Sequence, residues 1–346
     1  MATLLLSLDA SNPSSWPYPV GGAPTPYSYW TDVSGASYFG YPAQMEMVNA
    51  PDLVTISGST KGLRMRATSG GTYPNGSGIG QRGLINLGGN PGSPNGDIGT
   101  ILNATGSYTV AMWICFNQPP IAGSGTGGVN MPTTIFSQFT NNPPHLIFGS
   151  SRGDSVQPRV LNEIAVQYYP NAGSNAVAGT WIPTVGVWYL VTIVCENTGS
   201  SSGTLTLYIN GTAQGTATST GALYQPFRLP AGAGSNYLWI LNSSYYPNAL
   251  PSPYDYGGDI TFSTFKVFSG AMSSAEVSTM FAAEGIPFGY GSGLGPIYWT
   301  TTGYKLMQTD VTNFGRYVGA TIGGNGNNAT FTLAMMEYNY RSQWGT

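Results

Sequence analysis

The chain has 346 residues, enough to bury a sizeable core, yet only 7% are charged and the net charge is −3. Eleven basic residues scattered singly cannot line a phosphate-binding groove, which argues against nucleic acid as a partner. With 13% aromatics the composition is the reverse of a disordered chain, and no apolar run approaches the roughly 20 residues that cross a bilayer.

The opening MATLLLSLDASNP lacks a basic start, and its apolar run is too short for a signal peptide. Leu4, Leu6 and Leu8 read instead as one face of a strand, and synthesis in the cytoplasm without a cleaved leader is expected. An aromatic run follows, SSWPYPVGGAPTPYSYW (14–30), in which Trp16 and Tyr27 are candidate contact residues for a partner or ligand. The segment SYTVAMWICF (107–116) is apolar at nearly every position, as a strand buried on both faces would be. Further strands are predicted at 145–149, 160–169 and 188–196, the last being WYLVTIVCE. Cys115 and Cys195 lie inside these apolar patterns, so two reduced thiols are preferred over a disulfide.

Next comes LTLYINGTAQGT (205–216). Leu205, Leu207 and Ile209 alternate with polar residues, and Asn210-Gly211 supplies the positive φ angles of a tight hairpin turn. Strands are also expected at 237–241 and 259–268. Between them, NSSYYPNALPSPYDYGGD (242–259) places Tyr245, Tyr246, Tyr254 and Tyr256 among Asn242, Asn248 and acidic residues. Rings of this kind stack on sugar faces while amides and carboxylates take the hydroxyls; they also anchor protein contacts or simply cover a sheet edge. One helix is predicted, opened by the capping box Ser273/Glu276, striped by Val277, Met280 and Phe281, and stopped at Gly285-Ile286-Pro287.

These pieces, in this order, resemble the concanavalin A-like jelly roll of the laminin-G and pentraxin type. The LYING hairpin precedes GDITFSTFKVFSGAMSSAEV, in which Gly258, Ile260, Phe265, Val267, Met272, Ser273, Glu276 and Val277 occupy the family's places. LSLDASNP (6–13) and WTDVSG (30–35) are similar to the opening of such domains in virus and phage structural proteins. The resemblance covers residues 1–286 and implies an all-β fold: a two-sheet antiparallel jelly-roll sandwich with one short helix. Residues 287–346 fall outside it and read as a C-terminal β extension of three strands, apolar on one face at Phe331, Leu333 and Met335. That face needs cover, from the sandwich or from a neighbouring copy, the second being preferred for an assembly arm.

Catalysis is not expected. The family's glucanases place two or three acids on one strand, because one carboxyl must protonate the leaving oxygen while another attacks or activates water. Glu46, Glu163, Glu196, Glu276, Glu284 and Glu337 form no such group. His145 is the lone histidine, which leaves little for a relay or a multi-histidine metal site. Relatives in this fold often hold calcium near a sheet edge, so Asp255 and Asp259 are the candidate ligands if a calcium is bound. Asp9 and Asp32 are second candidates that could equally hydrogen-bond turn backbone. No other cofactor is implied. The tripeptide Arg152-Gly153-Asp154 and the sequons at Asn75, Asn103, Asn210, Asn242 and Asn328 are too short to weigh.

The leading expectation is therefore a non-enzymatic structural protein of a virus or phage particle, such as a capsid decoration, minor capsid or fibre component. Its partners would be copies of itself or other virion proteins, with no nucleic acid and no membrane. Low charge removes the repulsion that keeps copies apart. The alternative is a carbohydrate-binding, lectin-like module for host attachment, with surface glycans as partner; a glycoside hydrolase ranks third.

Overall fold

The computed structural model describes residues 2–18, 27–36, 43–48, 51–65, 82–86, 98–99, 101–102, 106–119, 134–140, 145–150, 164–171, 174–199, 202–220, 236–240, 259–290, 298–300 and 303–305. The chain divides into two compact units, Met1–Phe281 and Ala282–Thr346. In the first, the strands are β1 (Thr3–Asp9), β2 (Tyr27–Thr31), β3 (Gln44–Val48), β4 (Asp52–Ser57), β5 (Thr60–Met65) and β6 (Arg82–Asn86). They continue as β7 (Tyr108–Phe116), β8 (Thr134–Thr140), β9 (His145–Ser150), β10 (Ile164–Asn171) and β11 (Ser174–Trp181). The last are β12 (Trp188–Gly199), β13 (Ser202–Ile209), β14 (Thr212–Thr220), β15 (Asn236–Ile240) and β16 (Ile260–Ser269), followed by helix α1 (Ser274–Glu284).

Two eight-stranded antiparallel sheets result. One runs β14-β13-β12-β7-β16-β5-β4 with β1 also on β16; the other runs β11-β10-β9-β8-β15-β6-β3-β2. The edge of β16 away from β7 is shared. Ile260–Phe262 pair with β5, and Thr264–Ser269 pair with β1. Ser263 lies between these two stretches: its Oγ donates to Lys61 O at 2.7 Å and its carbonyl accepts from Ala10 N at 2.9 Å.

The inner faces meet in one core. Leu6, Val110, Met112, Ile193, Leu207 and Phe265 come from the first sheet, and Trp30, Met45, Phe148, Val166 and Leu238 from the second. The all-β, two-sheet jelly-roll architecture expected from the sequence is the one observed. β7 is buried at all nine positions because the first sheet is covered on both sides. Its outer face carries Trp113, Val194 and Tyr208, and α1 lies over it: Val277 joins the Val194–Tyr208 cluster, and Phe281 stacks on Trp113 at 6.0 Å.

The helix is placed by local chemistry. Ser273 N donates to Glu276 Oε2 at 2.8 Å and Glu276 N to Ser273 Oγ at 3.3 Å, the reciprocal pair of a capping box. The Ser273 N–H and the Ser273 Oγ–H, at 2.9 Å, both donate to this carboxylate and hold the Glu276 carboxyl below its ordinary value. The Asn210-Gly211 turn has φ of 52° and 78°, as a two-residue hairpin requires, and it docks on the helix through Ser278 Oγ–H···O=C of Gly211 at 3.1 Å.

Strands β9, β10, β12, β15 and β16 fall within a few residues of their expected bounds. Strands β2–β6, β8 and β11, and helical residues 98–99 and 101–102, which bury Ile98 and Leu102, were not foreseen. In the second unit, Tyr298–Thr300 (β17) and Gly303–Lys305 (β18) form a two-stranded ladder where one strand was expected. The other two strands expected in the C-terminal extension lie outside the described residues.

Both cysteines are free and buried. Cys195 faces the core, whereas Cys115 faces outward beside Thr261, so the thiols lie on opposite faces of one sheet. Burial pushes the Cys115 thiol up to about 11 and Cys195 up to about 12. A thiol that holds its proton more tightly when folded contributes stability that is whole below its unfolded value of about 8.5 and is lost as pH rises through the folded value. At pH 8 neither thiol of the native protein is expected to react with Ellman's reagent within minutes, and both react in guanidinium chloride. Rapid stoichiometric labelling of the native protein would contradict this placement.

Candidate functional site

The N-terminal aspartates are turn anchors. Asp32 Oδ1 accepts from Ser7 N at 2.7 Å and Ser34 N at 2.9 Å, while Oδ2 accepts from Ser34 Oγ at 2.7 Å. Asp9 Oδ1 accepts from Ser11 N at 2.8 Å, and Asp9 N donates to Ser15 Oγ. This turn folds Trp16 back into the core, where it is 3% exposed and packs edge-on against Tyr18 at 4.8 Å, not on the rim where a contact residue would lie. Tyr27 opens β2, paired with Val48. Tyr245, Tyr246, Tyr254, Tyr256, Asn242, Asn248 and Asp255 lie outside the described residues.

Asp259, the other candidate calcium ligand, is engaged differently. Its Oδ1 accepts from Arg64 Nε at 2.7 Å and from Asn117 Nδ2 at 2.8 Å, and its Oδ2 pairs with Arg64 Nη2. Two parallel N–H···O bonds make this a bidentate pair, the strong form of the interaction. The hydrogen bond to Asp259 raises the Arg64 pKa further above its ordinary value. Asn117 Nδ2 also donates to Thr261 Oγ1 at 2.9 Å, and Asn117 N to Asp259 O at 2.8 Å. Among the described residues, no group of three or more His, Cys, Asp or Glu could hold a metal ion. The donors around Asp259 are nitrogens, which suit a carboxylate and not a calcium ion.

Strand register turns this cluster into a surface. Arg64 pairs with Thr261, Thr261 with Cys115, and Cys115 with Trp188. One row of outward positions thus crosses four adjacent strands at the end of the sheet where β7 stops and β12 and β16 begin. At neighbouring-strand spacings the row spans about 14 Å. Trp188 at one end is half-buried, Thr261 and Cys115 make the buried middle, and Arg64, 34% exposed, lies toward the other end between Asp259, 16% exposed, and the exposed Asp52 of β4, its register partner. Asp259 follows the aromatic-rich segment 242–258 in the sequence, which lies outside the described residues.

A second feature borders the same end. Residues 182–187 link β11 to β12, with Ile182 52% and Val185 43% exposed. Trp181 holds this loop by edge-on contacts with Tyr189 at 4.6 Å and Phe116 at 5.8 Å, and Thr184 N donates to Tyr189 Oη at 3.0 Å. Sequence reading missed Arg64, Asn117 and Trp188 because they are distant in the chain and belong to no motif. The one available signal was the double appearance of polar residues, Asn117 and Asp259, just past the ends of strongly apolar strands.

In chemical terms the accessible parts are an aromatic ring at one end and an amide and a charge-compensated guanidinium at the other, with Thr261 and Cys115 buried between them. They can stack and hydrogen-bond. No described helix is long and apolar enough to cross a membrane.

Comparison with known proteins gives three findings. No curated protein matches the sequence at a significant level. Among solved structures, the binding domain of botulinum neurotoxin DC in complex with rat synaptotagmin II is 13% identical, with a TM-score of 0.47 over 81% of this chain and 52% of that one. The botulinum neurotoxin serotype C1 binding domain is 14% identical, with a TM-score of 0.46 over 82% and 52%. The chain spans about half the length of the solved structures it matches. The family model described as the concanavalin A-like lectin/glucanases superfamily matches residues 90–278. That match takes in more than half of the chain and runs from before β7 into α1, so the chain belongs to the concanavalin A-like lectin/glucanases superfamily.

Proposed function

We propose that the protein is a non-enzymatic, lectin-like module that binds carbohydrate at the two accessible ends of this row, on the Trp188 ring and on the Arg64 and Asn117 donors. The observation that carries this reading is the row itself: an aromatic ring and a cluster of polar donors about 14 Å apart on a sheet face, the span of two to three sugar rings. Membership of a family named for lectins and glucanases supports sugars as ligands. Tyr245, Tyr246, Tyr254 and Tyr256, which precede Asp259 in the sequence, are candidates for further stacking, and Asp255 is the candidate calcium ligand in this reading. Family membership thus moves carbohydrate binding ahead of the assembly role that composition favoured.

The test is an oligosaccharide array with and without calcium, followed by titration of the best-bound sugar. Trp188→Ala and Tyr254→Ala/Tyr256→Ala are each expected to weaken binding by about tenfold, the worth of one stacked ring. Retention of full affinity by both variants would refute the site. A second reading rests on Ile182 and Val185, which expose apolar surface in a chain that is only 7% charged. There the protein is a building block of a virus or phage particle, made in the host cytoplasm, and residues 287–346 reach a neighbouring copy. Its test is native mass: an oligomer lost on removing 287–346 supports it, and a monomer indifferent to the deletion rejects it.

A further inference from the structure

We infer that Arg64 is the ligand-reading group of this surface and that its pairing with Asp259 makes the site selective for neutral sugars over acidic ones. The inference rests on the carbohydrate-binding reading above. A guanidinium carries five N–H donors. Those on Nε and Nη2 that face Asp259 are used by the ion pair, which leaves donors on Nη1 and the remaining one on Nη2 for a bound molecule. The side chain is 34% exposed, so these donors reach solvent, whereas Asp259 behind it is only 16% exposed.

Geometry fixes where the donors point. Asp259 is itself held by Asn117, whose amide bridges it to Thr261 and whose backbone N–H binds the Asp259 carbonyl. Three strand ends, from β5, β7 and β16, are thereby tied to one planar fork. A flexible arginine would lose rotamer freedom on meeting a ligand; this one has already lost it. Electrostatics fixes what the fork prefers. An unpaired arginine would attract a carboxylate, such as that of a sialic or uronic acid. Here the positive charge is compensated by Asp259 at bonding distance and also faces the exposed Asp52, its register partner on β4, so a ligand meets donors flanked by two carboxylates. A hydroxyl or ring oxygen satisfies such a donor, and a second carboxylate would face Asp259 at close range and be repelled.

The experiment uses the full chain and an array of matched neutral and sialylated oligosaccharides, with thermal melting of each variant alongside. Arg64→Gln is expected to lower affinity for the preferred neutral sugar about tenfold to a hundredfold, the loss of a charged hydrogen bond. Arg64→Lys should recover only part of it, because an ammonium lacks the planar fork. Asp52→Asn/Asp259→Asn keeps the arginine and removes both neighbouring carboxylates, so the preference is expected to shift toward sialylated sugars, a change that a merely structural role for the pair would not produce. Wild-type binding with unaltered affinity in Arg64→Gln and an unaltered profile in Asp52→Asn/Asp259→Asn would overturn this inference alone. A wild-type chain that binds neither class would overturn the carbohydrate reading and this inference with it.

Discussion

Replacing Trp113 with alanine is expected to destabilise the protein by about 3–5 kcal/mol, among the largest losses a single core truncation produces. Trp113 is fully buried, but not between the two sheets. It stands on the outer face of β7, where Phe281 of α1 stacks on it with planes 26° apart. Truncation removes the largest side chain beneath the helix and leaves a cavity that neither sheet can collapse into, because β7 is hydrogen-bonded on both edges. Trp113→Phe keeps an aromatic partner for Phe281 and should lose less. Urea unfolding followed by circular dichroism measures both. For a domain whose whole stability is about 5–15 kcal/mol, the alanine variant should be visibly less stable. A loss below about 1 kcal/mol would mean that the helix does not cover this face.

Gly215→Val is the second large effect, expected at about 2–3 kcal/mol or more. The edge strands of the two sheets, β14 and β11, approach one another backbone to backbone. A Cβ on Gly215 would lie 2.8 Å from Gly179 Cα and 2.9 Å from Gly179 N; a Cβ on Gly179 would lie 2.9 Å from Gly215 N. No side chain stands in the gap to swing aside, so one edge must move. Gly179 also has φ +77°, which adds strain of about 1–2 kcal/mol for any other residue. Each strand carries a register shift at this point, between Leu207 and Tyr208 in the β13–β14 ladder and between Ala165 and Gln167 in the β10–β11 ladder. The two bulges meet. Because either substitution opens the same gap, Gly179→Ala and Gly215→Ala together should cost less than the two single effects added. A Gly215→Val variant within 0.5 kcal/mol of the parent would show that the edges are not in contact.

Much of this architecture is written in local patterns. The unbroken apolar run 108–116 announced a strand covered on both faces, and the Leu205–Ile209 alternation with Asn210-Gly211 announced a hairpin. The Ser273/Glu276 spacing announced the helix start to the residue. What stayed hidden has a common cause. Strand β11, SNAVAGTW, is built of small residues because it crosses β14 at the glycine pair, and small residues carry no β signal. Trp16 looked like a rim aromatic because its neighbours are Ser, Asn and Pro. Those polar groups instead close the turn that carries the ring inward. Asp259 looked like a metal ligand because Asp255 and glycines surround it, and its actual partner, Arg64, is 195 residues earlier in the chain. The binding row depends on the pairing of four strands, which no single stretch of sequence encodes.

The most direct test of the carbohydrate site is amide hydrogen exchange on the full chain, with and without a saturating concentration of the oligosaccharide that binds best on the array. The account predicts slowed exchange confined to residues 115–117, 186–190 and 259–261 and to the segment entering at Asp259. Protection at those places would put the sugar on the row. Protection centred on the opposite end of the sheet, or none with the sugar demonstrably bound, would contradict it.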